Sequence, residues 1–281
     1  MASLIETAKV EMARVIGRLS RRYSYLGDET AIVTTRAGMR LLVDTRDCSL
    51  TPALAAIGCW EPHIERALIR LLERGQRIIE VGANMGYHTL TMARAVGRTG
   101  QIDAFEPNPR LYQLLTDSIF KNGLQDIVTT HRSAAVDKAG PVKFQFHPRY
   151  FGGGNVVVPG YEDPTNLHID VPGVRLDDVL GAGPPVDLLR MDAEGCEPLA
   201  LQGAEELVRG SPRLRIMMEF SPIMMRPRVD VPAFAARLAT FGFKAWRVKS
   251  SGSLAGIAMT DLPKLAHCDI VLSRDVPPGA L

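Results

Sequence analysis

No C-x-x-C pair occurs among the four cysteines, Cys48, Cys59, Cys196 and Cys268, and no histidine stands at a zinc-ligand spacing from them. A disulfide framework and a structural zinc therefore do not organise this fold. Long apolar runs are missing too. No stretch is long enough to cross a bilayer, and Glu6 and Lys9 interrupt the first residues where an export signal would need an apolar core. Charge of one sign is scarce: a net charge of +2 over 281 residues leaves no basic stripe, and no Asn/Asp-Pro-Pro-aromatic tetrapeptide is present. Nucleic acid is accordingly not an expected partner. With 46% hydrophobic and 23% charged residues, the composition is that of an ordinary globular chain, expected in a reduced, cytoplasmic compartment.

What is present begins with Arg77-Ile78-Ile79-Glu80-Val81-Gly82-Ala83-Asn84-Met85-Gly86-Tyr87, which reads as a buried strand, a glycine turn and a helix start. A second apolar strand, Gln101 to Phe105, runs into Glu106-Pro107-Asn108. If the two strands pair in parallel, Glu106 lies beside the glycine turn, where a carboxylate accepts hydrogen bonds from ribose hydroxyls. A dinucleotide fingerprint needs a third glycine, and here the run ends at Gly86. Glu80 would also meet a pyrophosphate with a like charge. S-adenosylmethionine carries an ammonium and a sulfonium and no phosphate, so an acidic strand end followed by small residues fits it better. An NAD-type oxidoreductase is the rival reading, and a donor-binding module without turnover is a third.

Residues 3 to 23 set Leu4, Ile5, Ala8, Met12, Val15, Ile16, Leu19 and Tyr23 at helical spacing, which predicts an amphipathic helix that packs on the body or on a second subunit in a homodimer. Ala31 to Thr35 and Met39 to Val43 flank Gly38 and predict a hairpin. Together these make an N-terminal cap over residues 1–58, with the main domain over 59–281. In that domain helices at Ile64 to Leu72, after Gly86 and from Pro109 to Asn122 alternate with strands at Ile127 to His131, Val186 to Met191, Leu214 to Phe220, Phe243 to Val248 and Cys268 to Leu272. The alternation predicts an α/β fold with a mostly parallel sheet covered on both faces. Between about 145 and 175 the rhythm fails around Phe151-Gly152-Gly153-Gly154-Asn155, which predicts an irregular insertion with a mobile glycine segment.

Ligands of an open parallel sheet bind beyond the carboxyl ends of its strands, and Glu80, Glu106, Asp192 and Glu219 all occupy such ends. Asp192 leaves a buried strand and Glu194 follows in a loop made tight by Gly195. In methyl transfer to oxygen, a carboxylate there orients the attacking hydroxyl and takes its proton. Alternatively Asp192, Glu194 and Glu219 gather a divalent cation, although no ligand spacing compels a metal. Asp192 capping the helix after Gly195 is the plain structural alternative.

Several of these segments resemble the FkbM-type S-adenosylmethionine-dependent methyltransferases: Gly58-Cys59-Trp60-Glu61-Pro62, Glu80 to Tyr87, Phe105 to Pro109, Val174 to Asp178 and Arg190-Met191-Asp192-Ala193-Glu194-Gly195-Cys196-Glu197, then Leu201 to Ala204. The resemblance implies a Rossmann-like, seven-stranded class I methyltransferase fold and methylation of a hydroxyl on a sugar, glycolipid or polyketide-like natural product. It places Glu80, Gly82, Ala83, Asn84, Gly86 and Tyr87 along the methionine part of the donor, Glu106, Pro107 and Asn108 at its ribose, and Ser133 and Ala134 near its adenine. Asp192 and Glu194 are then the catalytic acids, with His88 first a packing residue and second a base. Trp60, Glu61, Gly153, Asn155 and Glu219 are the expected acceptor contacts.

Overall fold

The computed structural model describes residues 22–181 and 183–280. Among them, eight strands form the main sheet: β4 (Arg77–Val81), β5 (Gln101–Phe105), β6 (Val128–His131), β11 (Leu188–Met191), β12 (Arg215–Phe220), β13 (Lys244–Val248), β14 (Leu254–Ile257) and β15 (Cys268–Ser273). The spatial order is β14-β13-β15-β12-β11-β4-β5-β6. The run from β12 to β6 is parallel, and β15 enters antiparallel between β12 and β13. Seven of these strands follow the sequence expectation. The eighth, β14, is a short hairpin partner of β13 at the sheet edge, too brief and too weakly alternating to stand out.

Strand side chains alternate across the sheet, and the core divides accordingly. Ile79, Leu189, Ile270 and Leu272 join one hydrophobic cluster, while Ile78, Leu188 and Val271 join the cluster on the opposite face. Burial on both faces is why β4 and β11 read as continuous apolar runs rather than alternating ones. Truncating a fully buried member such as Leu189 to Ala would cost about 2–5 kcal/mol. Helices Pro62–Leu71, Tyr87–Val96 and Pro109–Lys121 form where their apolar stripes predict. Asn108 caps the last of them by accepting from the amides of Arg110 and Leu111, and Pro109 supplies the preset first turn.

The strand order reverses between β4 and β11, which makes their carboxyl ends the topological switch point. Register decides what meets there. Val81 pairs with Met191 on one side and with Phe105 on the other, so Gly82, Asp192 and Glu106 emerge side by side.

The insertion is irregular only at the turn 148–149 and over 157–166. Its residues form β8 (Gly140–His147), β9 (Tyr150–Val156) and β10 (Leu167–Val174), which with β7 (Ala134–Ala135) make a second sheet in the order β7-β10-β8-β9. The glycine segment expected to be mobile is strand β9 itself. Glycines blunt the alternation that marks a strand in sequence, and long-range pairing overrides that weak local signal. The N-terminal hairpin is present as β2 (Thr30–Thr34) and β3 (Arg40–Asp44), extended by β1 (Tyr23–Gly27) into three strands. The amphipathic helix expected over 3 to 23 lies outside the described residues except for its end, where Tyr23 starts β1. No helix of the described residues is long and apolar enough to cross a membrane.

Candidate functional site

A cavity of about 290 Å³ opens at the switch point, roofed by β8 and β9. Trp60, Glu61, Gly82, Ala83, Asn84, Tyr87, His88, Glu106, Pro107, Asn108, Ser133, Ala134, Asn155, Asp192, Glu194 and Glu219 line it, so most of the expected site residues converge there. Three do not. Glu80 is fully buried, with one oxygen bonded to Thr89 at 2.5 Å and the other to Arg190 at 3.2 Å. Gly86 precedes the helix Tyr87–Val96 as its N-cap with a left-handed φ of 96°, and a β-carbon there would also press on Leu115, so its glycine serves the turn and the packing behind it. Gly153 lies in β9 between Gly152 and Gly154, which line the cavity, and does not line it itself.

Both glycines of the turn adopt left-handed backbone, Gly82 at φ 80° and Gly86 at φ 96°, as a tight turn requires. A β-carbon on Gly82 would overlap the Asp192 carbonyl, so glycine at 82 lets the turn after β4 nest against the loop after β11. Gly82 and Ala83 both donate to the Phe105 carbonyl at 3.0 Å. The turn then swings Asn84 into a left-handed conformation (φ 52°), and its amide donates to Glu106 at 2.8 Å. The second oxygen of Glu106 accepts from Asn108 at 2.8 Å. Held by two amides, Glu106 nonetheless has its pKa pushed up to about 7 by burial.

Arg190 is the site residue whose role the spacing did not reveal. Its guanidinium is buried and donates to Glu80, to the Gly82 carbonyl at 3.4 Å and to Asp192 at 2.8 Å. The signal was in view, an arginine inside the apolar run Leu188-Leu189-Arg190-Met191, and a charge so placed demands carboxylate partners. Asp192 does not cap the next helix. Glu197 takes the loop amide instead, accepting from Ala193 at 2.7 Å, which leaves Asp192 facing the cavity.

Glu194 (φ 54°) and Glu61 (φ 41°) join Asn84 as left-handed non-glycine residues on the cavity wall. Such conformations cost about 1–3 kcal/mol each and persist where the surroundings hold a functional geometry. Burial, reinforced by Asp192 and Glu197, pushes Glu194 up to about 8. Burial with Asp192 and Glu194 nearby pushes Glu219 up to about 10, with His267 3.2 Å from one oxygen and the other unpartnered. Burial raises Asp192 as well, opposed by Arg190. Glu61 differs: burial works to raise it, but the hydrogen bond from His88 at 3.2 Å and the charges nearby outweigh burial and lower it. Asp192, Glu194 and Glu219 each offer a carboxylate oxygen within 4.8 Å of the others, a set that could hold a cation. His267, Leu50, Phe144, Phe146 and Tyr150 also lie on the wall, brought in by tertiary pairing from segments that carry no motif, and Phe151 joins them from the glycine segment.

Two solved structures with related folds are fibrillarin from Aeropyrum pernix, bound to S-adenosyl-L-methionine (14% identity, 89% of this chain and 97% of that one, TM-score 0.43), and an O-methyltransferase from Bacillus cereus in complex with SAH (15% identity, 75% and 78%, TM-score 0.42). In sequence the chain is 27% identical to methyltransferase sdnD of Sordaria araneosa, across 54% of this chain and 70% of that protein. The family model described as the methyltransferase FkbM domain matches residues 80–245, from the end of β4 to the start of β13, and so covers the carboxyl ends of β4, β5, β11 and β12. The chain belongs to the FkbM methyltransferase domain family.

Proposed function

We propose that this methyltransferase moves the methyl group of S-adenosylmethionine to a hydroxyl of a sugar, glycolipid or other natural product. The observation that carries the reading is the sign of the cavity: Glu61, Glu106, Asp192, Glu194 and Glu219 line it, while Arg190 is already engaged by Glu80 and Asp192. Such a wall suits a cationic donor and opposes a pyrophosphate, which disfavours the dinucleotide reading.

When bound, the donor supplies an electrophilic methyl on a sulfonium. Glu106, fixed by Asn84 and Asn108, is positioned to accept from two ribose hydroxyls; Ser133 and Ala134 flank the adenine side; Gly82, Ala83, Asn84 and Tyr87 border the methionine side. Asp192, oriented by Arg190, accepts the hydroxyl proton as oxygen bonds to the methyl carbon and the carbon–sulfur bond breaks. Glu194 and His88 border the same space, with His88 anchored on Glu61, so they are the next candidates for the proton. Asp192, Glu194 and Glu219 could alternatively hold a divalent cation, but the same three acids serve a sulfonium without one.

Equilibrium binding and label transfer test the reading together. S-adenosylmethionine should bind with a Kd on the order of micromolar, ordinary for a site of this kind, and NAD negligibly. Labelled donor should then mark a component of a hydroxyl-rich metabolite extract. Binding without transfer to any fraction would favour a non-catalytic module, and NAD binding in place of the donor would overturn the family-level chemistry at this cavity.

A further inference from the structure

The methionine end of the donor carries an ammonium, and the carboxylate that the strand end offers for it is out of reach. Glu80 is fully buried with both oxygens engaged, one by Thr89 and the other by Arg190. Asp192, on the neighbouring strand end, already has a guanidinium nitrogen of Arg190 at 2.8 Å. An ammonium placed against that pair gains little, because Arg190 repels it.

Glu61 is held differently. It stands at the N-cap of the helix Pro62–Leu71 with φ 41°, a conformation that residues with a β-carbon rarely adopt, and its side chain makes no capping bond. The carboxylate instead lines the cavity and meets His88, with Oε2 3.2 Å from Nε2. Its other oxygen has no hydrogen-bond partner among the described residues. Burial pushes Glu106, Asp192, Glu194 and Glu219 up, whereas at Glu61 burial is outweighed by the His88 bond and the charges nearby. Among the described residues, Glu61 is thus the wall acid whose ionised form the surroundings favour.

Position selects the ligand group. In the donor placement above, adenine lies by Ser133, ribose by Glu106 and methionine along Gly82 to Tyr87, following the spatial order β6, β5, β4. His88 follows Tyr87 in the first turn of the same helix, so the acid bonded to it stands at the methionine end and not at the ribose. Glu219, by contrast, lies near the end of β12, two strands and so about 9–10 Å from β4.

We propose that Glu61 binds the α-ammonium of S-adenosylmethionine, held toward it by His88. This rests on the donor placement in the reading above, and it moves Glu61 from the acceptor, where the sequence put it, to the donor.

Calorimetry on the wild type, Glu61→Gln and Glu61→Gly tests it, with S-adenosylhomocysteine and the analogue in which hydrogen replaces its ammonium. Glutamine keeps the size and removes the charge; glycine suits the left-handed backbone and decides if the glutamine variant does not fold. The wild type should prefer S-adenosylhomocysteine to the analogue by about 30-fold, as a hydrogen bond between charged groups brings. Either substitution should weaken S-adenosylhomocysteine about 30-fold and the analogue by no more than about twofold, so that the preference disappears. A merely structural role for Glu61 would weaken both ligands alike and keep the preference, which would overturn the inference. So would a wild type without a preference, or S-adenosylhomocysteine affinity that neither substitution changes, and methyl transfer would still stand. A wild type that binds neither ligand would instead defeat the donor placement itself, and the inference with it.

Discussion

The side-chain amide of Asn84 donates to the backbone carbonyl of Phe151 at 2.9 Å, joining the first turn of the main sheet to the glycine strand of the second. The same residue presents its backbone amide to Glu106, and its φ of 52° is what allows both. One residue thus couples the donor-side carboxylate to the roof of the cavity.

Asn84→Gly and Asn84→Ala should separate conformation from bonding. Glycine relieves the left-handed backbone but loses both side-chain bonds, the one to the Phe151 carbonyl and the one accepted from the Met85 amide at 2.8 Å, so it should destabilise by about 1–2 kcal/mol. Alanine loses the same two bonds and keeps the strain, and should cost about 1–2 kcal/mol more. Urea denaturation of both variants reads the difference; equal losses would remove the backbone from the explanation.

Glu106 carries a structural duty beyond any ribose contact. Glu106→Gln keeps one acceptor oxygen for Asn84 or Asn108 and should weaken S-adenosylmethionine binding by about 10-fold. Glu106→Ala leaves two buried amides unanswered, and should weaken binding by about 100-fold or more and lower stability by roughly 2 kcal/mol. Calorimetry beside thermal denaturation distinguishes the two effects.

Asp192→Asn retains shape and a hydrogen-bonding oxygen for Arg190 but cannot take a proton. Donor affinity should remain near the wild-type value while the transfer rate falls about 10²- to 10⁴-fold. Equal loss in both measurements would move Asp192 from the chemistry to donor binding.

The raised acids predict a pH signature. From the ordinary glutamate value of 4.5, Glu106 is pushed up to about 7, Glu194 to about 8 and Glu219 to about 10. Between 4.5 and these values the folded state holds more protons than the unfolded one, so these groups make the ligand-free protein less stable as pH rises from 5 to 8. A cationic donor favours the ionised acids, so its binding should expel protons and tighten across the same interval. Thermal scans at several pH values check the first expectation. Calorimetry in two buffers of different ionisation enthalpy checks the second, and proton uptake on binding would contradict it.

The strands ending at Glu80, Glu106, Asp192 and Glu219 were legible because a parallel sheet buried on both faces must be written as apolar runs, and its ligand edge must be written where those runs stop. Helix limits at Asn108 and Gly97 were legible because caps are local. The second sheet was not. Three glycines in β9 erase the local strand signal, and only pairing with β8, itself joined to β10, makes that segment a strand.

The sequence by itself determined the α/β architecture, the acidic strand edge and the residues around Gly82 and Asp192, since each depends on contacts within one strand, turn or cap. Tertiary structure alone decided that Glu80 lies behind the cavity wall, bonded to Arg190 on that wall, that Gly82 is needed for the Asp192 loop, and that β9 roofs the site. Those outcomes depend on which distant strands become neighbours, and strand register, which no local stretch of chain encodes, settles them.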